Sequence, residues 1–239
     1  MWLLDCNSGK VTDRGGGEDS LFMKRRAWNQ SLEDSFEQKV ENDTKLLIDS
    51  ILNLPLNTVM GHVTVDCLNK KYNMLYNYQM QTVMLQLSNR DRAQSKVQDE
   101  QIVETFLEAN LPSSPCEHPF LVRFNHLLFA NKPLVLVDNA ISIFVTPPLS
   151  PNSGGSICFF MPISPYYLIF FGSLAQLEVF LFLKQDPHTI NKYRIQQEEE
   201  KCLVASQNET YIKWLATEYK HGQPNPKNRV TSKSQRNFL

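Results

Sequence analysis

Hydrophobic positions change their spacing along this chain, and each change predicts a different kind of element. Trp2-Leu3-Leu4-Asp5-Cys6 reads as a short strand, Asn7-Ser8-Gly9 as a turn and Lys10-Val11-Thr12 as the returning strand. Asp13 to Ser20, with Gly15-Gly16-Gly17, reads as a flexible loop. From Ser31 the period becomes helical. Ser31 stands as an N-cap with Asp34 in the capping-box position, and Leu32, Phe36, Val40, Leu47 and Ile51 share one stripe. An amphipathic helix is therefore predicted to Asn53, ended by Pro55. A second is predicted from Val65 to Leu87, with Leu68, Tyr72, Leu75, Val83 and Leu87 on one face. A third covers Asp99 to Ala109 around Ile102, Val103, Phe106 and Leu107, and Leu111 to Pro119 is a proline-bounded loop.

The second half reads as strands. Phe120 to Phe129, Pro133 to Val137, Ile141 to Val145, Ile157 to Met161 and Tyr167 to Phe171 are apolar, aromatic or β-branched runs. Thr146 to Ser156 is a loop rich in proline and glycine, and Pro162-Ile163-Ser164-Pro165 predicts a rigid turn. These runs are too continuous for a sheet with one wet face, so helices are expected on at least one side. Leu174 to Leu183 is helical in pattern, and Asp186-Pro187 starts a helix running towards Cys202 with Pro187 at its first position. Leu203-Val204-Ala205 makes a last short strand and Glu209 to Tyr219 a last helix. The expected class is mixed α+β, a helical first half packed on a mostly antiparallel sheet formed by the second half and the N-terminal strand. One domain is expected over residues 1–219. After Glu218 the chain holds no acid, and residues 220–239, with Lys220, Lys227, Arg229, Lys233 and Arg236, are expected to be a disordered basic tail.

Composition narrows the class of function. The chain has 239 residues, 42% hydrophobic and 21% charged, which suits a globular domain. A net charge of -1 leaves no global basic field to recruit nucleic acid or an anionic membrane. Five scattered cysteines, none spaced as CxxC, argue against a disulfide framework or structural zinc and suit a reducing compartment. The start lacks the basic region and long apolar stretch of a signal peptide, so the sequons at Asn29 and Asn208 carry no weight. Ile157 to Leu183 is apolar, but Pro162, Ser164, Pro165, Gly172, Gln176 and Glu178 interrupt the ~20 residues a membrane helix needs. A cytoplasmic setting with no membrane partner is expected.

Several constellations carry candidate chemistry. Asp138-Asn139 follows a strand, either as a turn whose side chains bind nearby backbone or as a carboxylate and amide presented to a ligand. Glu33, Glu37 and Glu41 recur every four residues and repel one another unless solvated, paired with Lys45 or neutralised by a divalent metal. Asn191 reads as a brace at the start of its helix or, secondarily, as a substrate contact. His62 and Asp66 are spaced to share a helix face, but two ligands do not make a metal site. Cys116-Glu117-His118 with His126 offers a Cys–His nucleophilic pair or a chance grouping. Ser164 lacks the glycines of a nucleophile elbow, and Gly15-Gly16-Gly17 has no phosphate-binding lysine.

Four short segments then recur in order: Val137-Asp138-Asn139-Ala140, Pro162-Ile163-Ser164-Pro165, Ile190-Asn191 and Leu203-Val204-Ala205-Ser206. Trp2-Leu3-Leu4-Asp5 and the acidic run from Leu32-Glu33 to Val40-Glu41-Asn42 precede them. In that order and spacing, up to Tyr219, the chain resembles a bacterial and phage-associated family, domain of unknown function 4238. There the corresponding segments are a Ser-Asp-Asn-Pro-type turn, a Pro-Leu-Ser-Pro turn, a helix opening with Ile-Asn and an aromatic-Val-Ser strand. A Trp-hydrophobic-Tyr-Asp strand and an acidic helix come before them. Val137 and Ala140 depart from the serine and proline of that first turn. Asn89-Arg90-Asp91-Arg92 is the nearest counterpart to the family's Arg-Thr-Pro element, and this chain starts after its His-Tyr-hydrophobic-Pro segment.

Two functions from different classes follow. The preferred one is a non-catalytic interaction or ligand-binding protein with no cofactor, meeting a protein partner or a second copy of itself. The rival is a hydrolase of nucleic acid or nucleotide using Mg or Mn held by Asp138 and Glu33, Glu37 or Glu41. A third reading, an accessory component of a phage-conflict system, is implied by the resemblance alone. The basic tail lacks interleaved aromatics apart from Phe238, so no specific nucleic-acid motif is present.

Overall fold

Pairing partners, more than local propensity, decide which segments of this chain become strands. The computed structural model describes residues 2–6, 8–13, 42–54, 61–80, 116–137, 140–147, 155–197 and 203–221. They form the expected mixed α+β fold, with the strands divided between two antiparallel sheets. β1 (Trp2–Asp5) and β2 (Lys10–Asp13) make the predicted hairpin, and Gly9 at φ 64° supplies its left-handed turn residue. The first sheet continues through β9 (Leu203–Ser206) to the two-residue β5 (Leu136–Val137), in the order β2-β1-β9-β5. The second contains β3 (Val63–Cys67), β4 (Phe120–Phe124), β6 (Ser142–Val145), β7 (Ile157–Ser164) and β8 (Tyr167–Phe171), ordered β3-β4-β8-β7-β6.

Helices cover both faces of the second sheet, as its unbroken apolar runs require. Leu121, Met161, Ile169 and Phe171 face Ile51 of α1 (Asn42–Leu52) and Tyr72, Leu75, Tyr76 and Met80. Those last four belong to a 3-10 turn, Lys70–Tyr72, and the helix it leads into, α2 (73–80). On the other face Phe144, Phe160 and Phe170 surround Phe180 of α3 (Leu174–Leu183), with ring centroids 5.1, 4.9 and 5.3 Å away. The following α4 (Pro187–Gln197) starts as predicted, with Pro187 at its first position and Asp186 accepting from Thr189 N and Oγ1. The last helix, α5 (Glu209–His221), packs Tyr211, Ile212 and Leu215 with Leu4, Val137 and Val204 of the first sheet.

Four expectations are corrected. The helix predicted from Val65 begins only after Asn69, whose side chain caps it. Val63 to Cys67 instead pairs in register with β4, which suits its β-branched residues. The strand predicted from Phe120 to Phe129 ends at Phe124, because Asn125 folds its side chain back onto Leu127 N and onto Gly61 O. Of Pro133 to Val137 only Leu136–Val137 pairs. Finally, Pro162-Ile163-Ser164 is not a turn but the end of β7, and the chain reverses at Pro165-Tyr166. Pro162 is tolerated there because β6 pairs only as far as Phe160, so the missing N–H breaks no bond on that side. The tail beyond 221, the first predicted helix before Asn42 and the third predicted helix lie outside the described residues, while α5 runs through Lys220 and His221. Among the described residues no helix is long and apolar enough to cross a membrane.

Gly172 joins β8 to α3 at a close approach. A Cβ there would lie 2.8 Å from Gln176 Oε1, 2.8 Å from Phe170 Cε1 and 2.9 Å from Cys158 Cβ. Gln176 is not free to retreat, because it completes a capping box with Ser173 and donates to Ile157 O. Gly172→Ala should therefore destabilise the fold by about 1–3 kcal/mol, read as a lower urea midpoint. An unchanged midpoint would show that the cap yields.

A buried polar network as the candidate functional site

Between β4 and β5 the chain crosses from one sheet to the other along Pro133-Leu134-Val135, and Leu134 and Val135 are buried. A buried backbone outside any ladder must find other partners for its N–H and C=O groups. Leu134 N donates to Pro165 O. Three further bonds come from α4. Asn191, fully buried, accepts from Val135 N at 3.0 Å and donates to Pro133 O at 2.7 Å. Arg194, equally buried, donates to Val135 O at 2.7 Å and to Ser142 Oγ at 3.1 Å. Asn191 thus braces a distant crossing segment, not the opening of its own helix. The same helix covers the outer strand of the second sheet, where Tyr193 Oη and Gln197 Nε2 both donate to Ile143 O.

Asn191 has one donor left, and it reaches Tyr211 Oη of α5 at 2.9 Å. The next partner of that hydroxyl is His188 Nδ1, 3.1 Å away. Trp214 lies against the imidazole at 4.4 Å between centroids, and Lys132 Nζ stands 5.1 Å from the Trp214 ring centre. Glu218 Oε2, itself buried, is 3.1 Å from Lys192 Nζ and 3.6 Å from His188 Nε2, in ion-pair range of both but aligned for a hydrogen bond with neither. Burial pushes the Tyr211 hydroxyl well above its ordinary range, so it keeps its proton. Burial also lowers His188, against the pull of Glu218 and Asp186 and with the help of Lys192 and Lys132, so the ring is neutral near pH 7.

The remaining sequence candidates do not converge on this network. Asp138, Asn139, Glu33, Glu37 and Glu41 lie outside the described residues. His62 and Asp66 bracket a strand, not a helix face, which at ~3.3 Å per residue sets them ~13 Å apart. Asp66 pairs instead with the buried Arg123. Cys116 Sγ donates to Asn73 Oδ1 at 3.5 Å, His118 Nδ1 to Leu68 O at 3.2 Å, and His126 faces the Tyr166 ring. These three contacts go to three different partners. Ser164 Oγ accepts from Tyr166 N within its turn. Cys158, donating to Phe144 O, has its thiol pushed up to about 12 by burial and is no nucleophile. No group of three His, Cys, Asp or Glu side chains that could hold a metal occurs among the described residues.

Sequence reading found Asn191 but missed His188, Arg194, Tyr211 and Glu218. The signal was available in the spacing: His188, Asn191 and Arg194 recur every three residues beside Ile190 and Ile195, and Tyr211, Trp214 and Glu218 follow a helical face of α5. No protein-family model matches the chain, no curated protein matches it, and no solved structure matches it.

Asn191→Leu keeps the branched shape but strands Val135 N, Pro133 O and one bond of Tyr211. With about 1–3 kcal/mol for each buried group left unpaired, the variant should lose at least about 3 kcal/mol in denaturant unfolding. A loss below about 1 kcal/mol would show that water replaces the amide.

Proposed function

We propose that this chain is a non-catalytic interaction or ligand-binding protein on the scaffold of the domain of unknown function 4238 family. The observation that carries the reading is the direction of its polar chemistry. Asn191, Tyr211 and His188 make hydrogen bonds to main chain and to one another inside the fold, and Arg194 donates to Val135 O and Ser142 Oγ. A general base needs its lone pair within reach of a substrate proton; that of His188 Nδ1 faces the Tyr211 hydroxyl. Large apolar side chains face outward instead. Phe182 is 75% exposed, Leu174 and Leu183 of α3 are also exposed, and Leu127 and Leu128 stand out after β4. Exposed apolar groups gathered on one element favour contact with a partner.

The order of elements supports the family reading. β1 carries the Trp2 segment, β5 ends at Val137 just before Asp138-Asn139, and β7 carries Pro162-Ile163-Ser164. Ile190-Asn191 lies in the first half of α4, and β9 is Leu203–Ser206. The bacterial or phage-related setting, the accessory role in a phage-conflict system and the cytoplasmic location follow from the sequence reading. Either a protein partner or a second copy of this chain fits the interaction role.

Calorimetric titration with Mn²⁺ and with Mg²⁺, run beside nucleotide and nucleic-acid hydrolysis assays, tests the proposal. Neither cation should bind stoichiometrically, and Asp138→Ala should alter stability alone. Stoichiometric Mn²⁺ binding, abolished together with hydrolysis in Asp138→Ala or Glu37→Gln, would establish the metal-dependent hydrolase instead.

A further inference from the structure

We propose that the α4–α5 network is an acid-sensitive latch: proton uptake by His188 uncouples Tyr211 and Asn191 and loosens the crossing at Pro133–Val135. The argument rests on which atom carries each proton. Pro133 O accepts only and Val135 N donates only, so the Asn191 amide is fixed with Nδ2 towards Pro133 and Oδ1 towards Val135. Its second Nδ2 hydrogen must then point at Tyr211 Oη. Tyr211 Oη has one hydrogen of its own to place, and among the described residues His188 Nδ1 is the acceptor it reaches, so the arrangement that satisfies both groups sends that hydrogen to Nδ1. His188 Nδ1 is therefore a bare lone pair, and the ring's hydrogen sits on Nε2, facing Glu218.

Only the neutral ring satisfies this chain of donors. An imidazolium presents Nδ1–H to Tyr211 Oη, whose second lone pair can take it only if the Tyr211 hydrogen turns away, and that hydrogen then loses His188 Nδ1 as its acceptor. Relief requires the His188–Tyr211 or the Tyr211–Asn191 contact to open, and the second frees a hydrogen of the amide that holds Pro133 O and Val135 N. The charged and titratable groups around the ring come from every element packed on it: Glu218 of α5, Lys192 of α4, Asp186 at its cap and Lys132 before the crossing. Tyr211 and Trp214 close the remaining sides.

The sign follows from linkage. The folded chain holds His188 below its free value of 6.5, so it binds a proton less readily than the unfolded chain does. The stability from this arrangement is complete above that value and declines as pH falls through it towards the folded one. The consequence is local because Val135 leads directly into β5 and then Asp138-Asn139. An acidic environment would release the segment that leads into β5.

Amide hydrogen exchange at Val135 reads the latch in the intact chain. Between about pH 8 and about pH 5, protection at Val135, corrected for the intrinsic rate, should fall about tenfold for each unit by which His188 is lowered. His188→Gln, which can accept from Tyr211 without titrating, should flatten that dependence, while His118→Gln should leave it intact. Flat protection in the unsubstituted chain, or an equal fall in His188→Gln, overturns the proposal. Should His188→Gln fail to fold, the NMR titration of the native imidazole decides. Titration below free histidine, with the Val135 amide shifting in step, supports the latch; titration at or above it sinks the idea.

Discussion

Three residues between the two sheets, Pro133 to Val135, set the constraint on which the rest of the structure depends. A chain that crosses a core cannot pair in a ladder, and each buried group left unpaired costs about 1–3 kcal/mol. The fold meets that demand from α4, which places Asn191 and Arg194 in the interior against the crossing's carbonyls and amide. Those side chains are costly to bury, and Arg194 keeps its charge at any accessible pH. Their burial is offset because they hydrogen-bond the backbone of the crossing.

From that constraint the packing of the helices follows. Having turned Asn191 and Arg194 towards the crossing, α4 presents Tyr193 and Gln197 to Ile143 and so covers the outer strand of the second sheet. Its first turn carries His188 to Tyr211 and Trp214 of α5, which in turn packs on the first sheet through Ile212 and Leu215. One helix thereby touches both sheets, packing Tyr193 against the second and Ile195 against the first. A polar network in such a place is cooperative, since every member fixes the proton positions of the next. That property underlies both its stabilising role and its sensitivity to protonation.

The functional reading inherits this arrangement. A histidine, a tyrosine and an asparagine close together invite an enzymatic interpretation, yet here their bonds close on the protein itself. Among the described residues α3 offers an apolar surface outward, burying Leu177 and Phe180 while leaving Leu174, Phe182 and Leu183 exposed. Such a surface suits recognition, whereas the buried network suits holding a segment in place.

Much of the architecture was legible in the chain's pattern. The hairpin at Trp2, the continuous strands at Ile157 and Tyr167, the Asp186-Pro187 helix start and the closing strand and helix all follow from local period and punctuation, because neighbours in sequence decide them. Local signals misread Val65 to Cys67 as helix, since the strand there exists only through its registration with β4. They misread Pro162 as a turn because the length of β6, not the proline, decides whether an N–H is missed. Asn191 stood out by itself, but its role did not: its partners lie 20 to 58 residues away in sequence. Thus the order and type of most elements were determined by the sequence alone, through spacing that acts over one or two turns. The division into two sheets, the crossing between them and the proton positions around His188 were decided only by tertiary structure, because hydrogen-bond satisfaction in a dry interior depends on groups that meet only after folding.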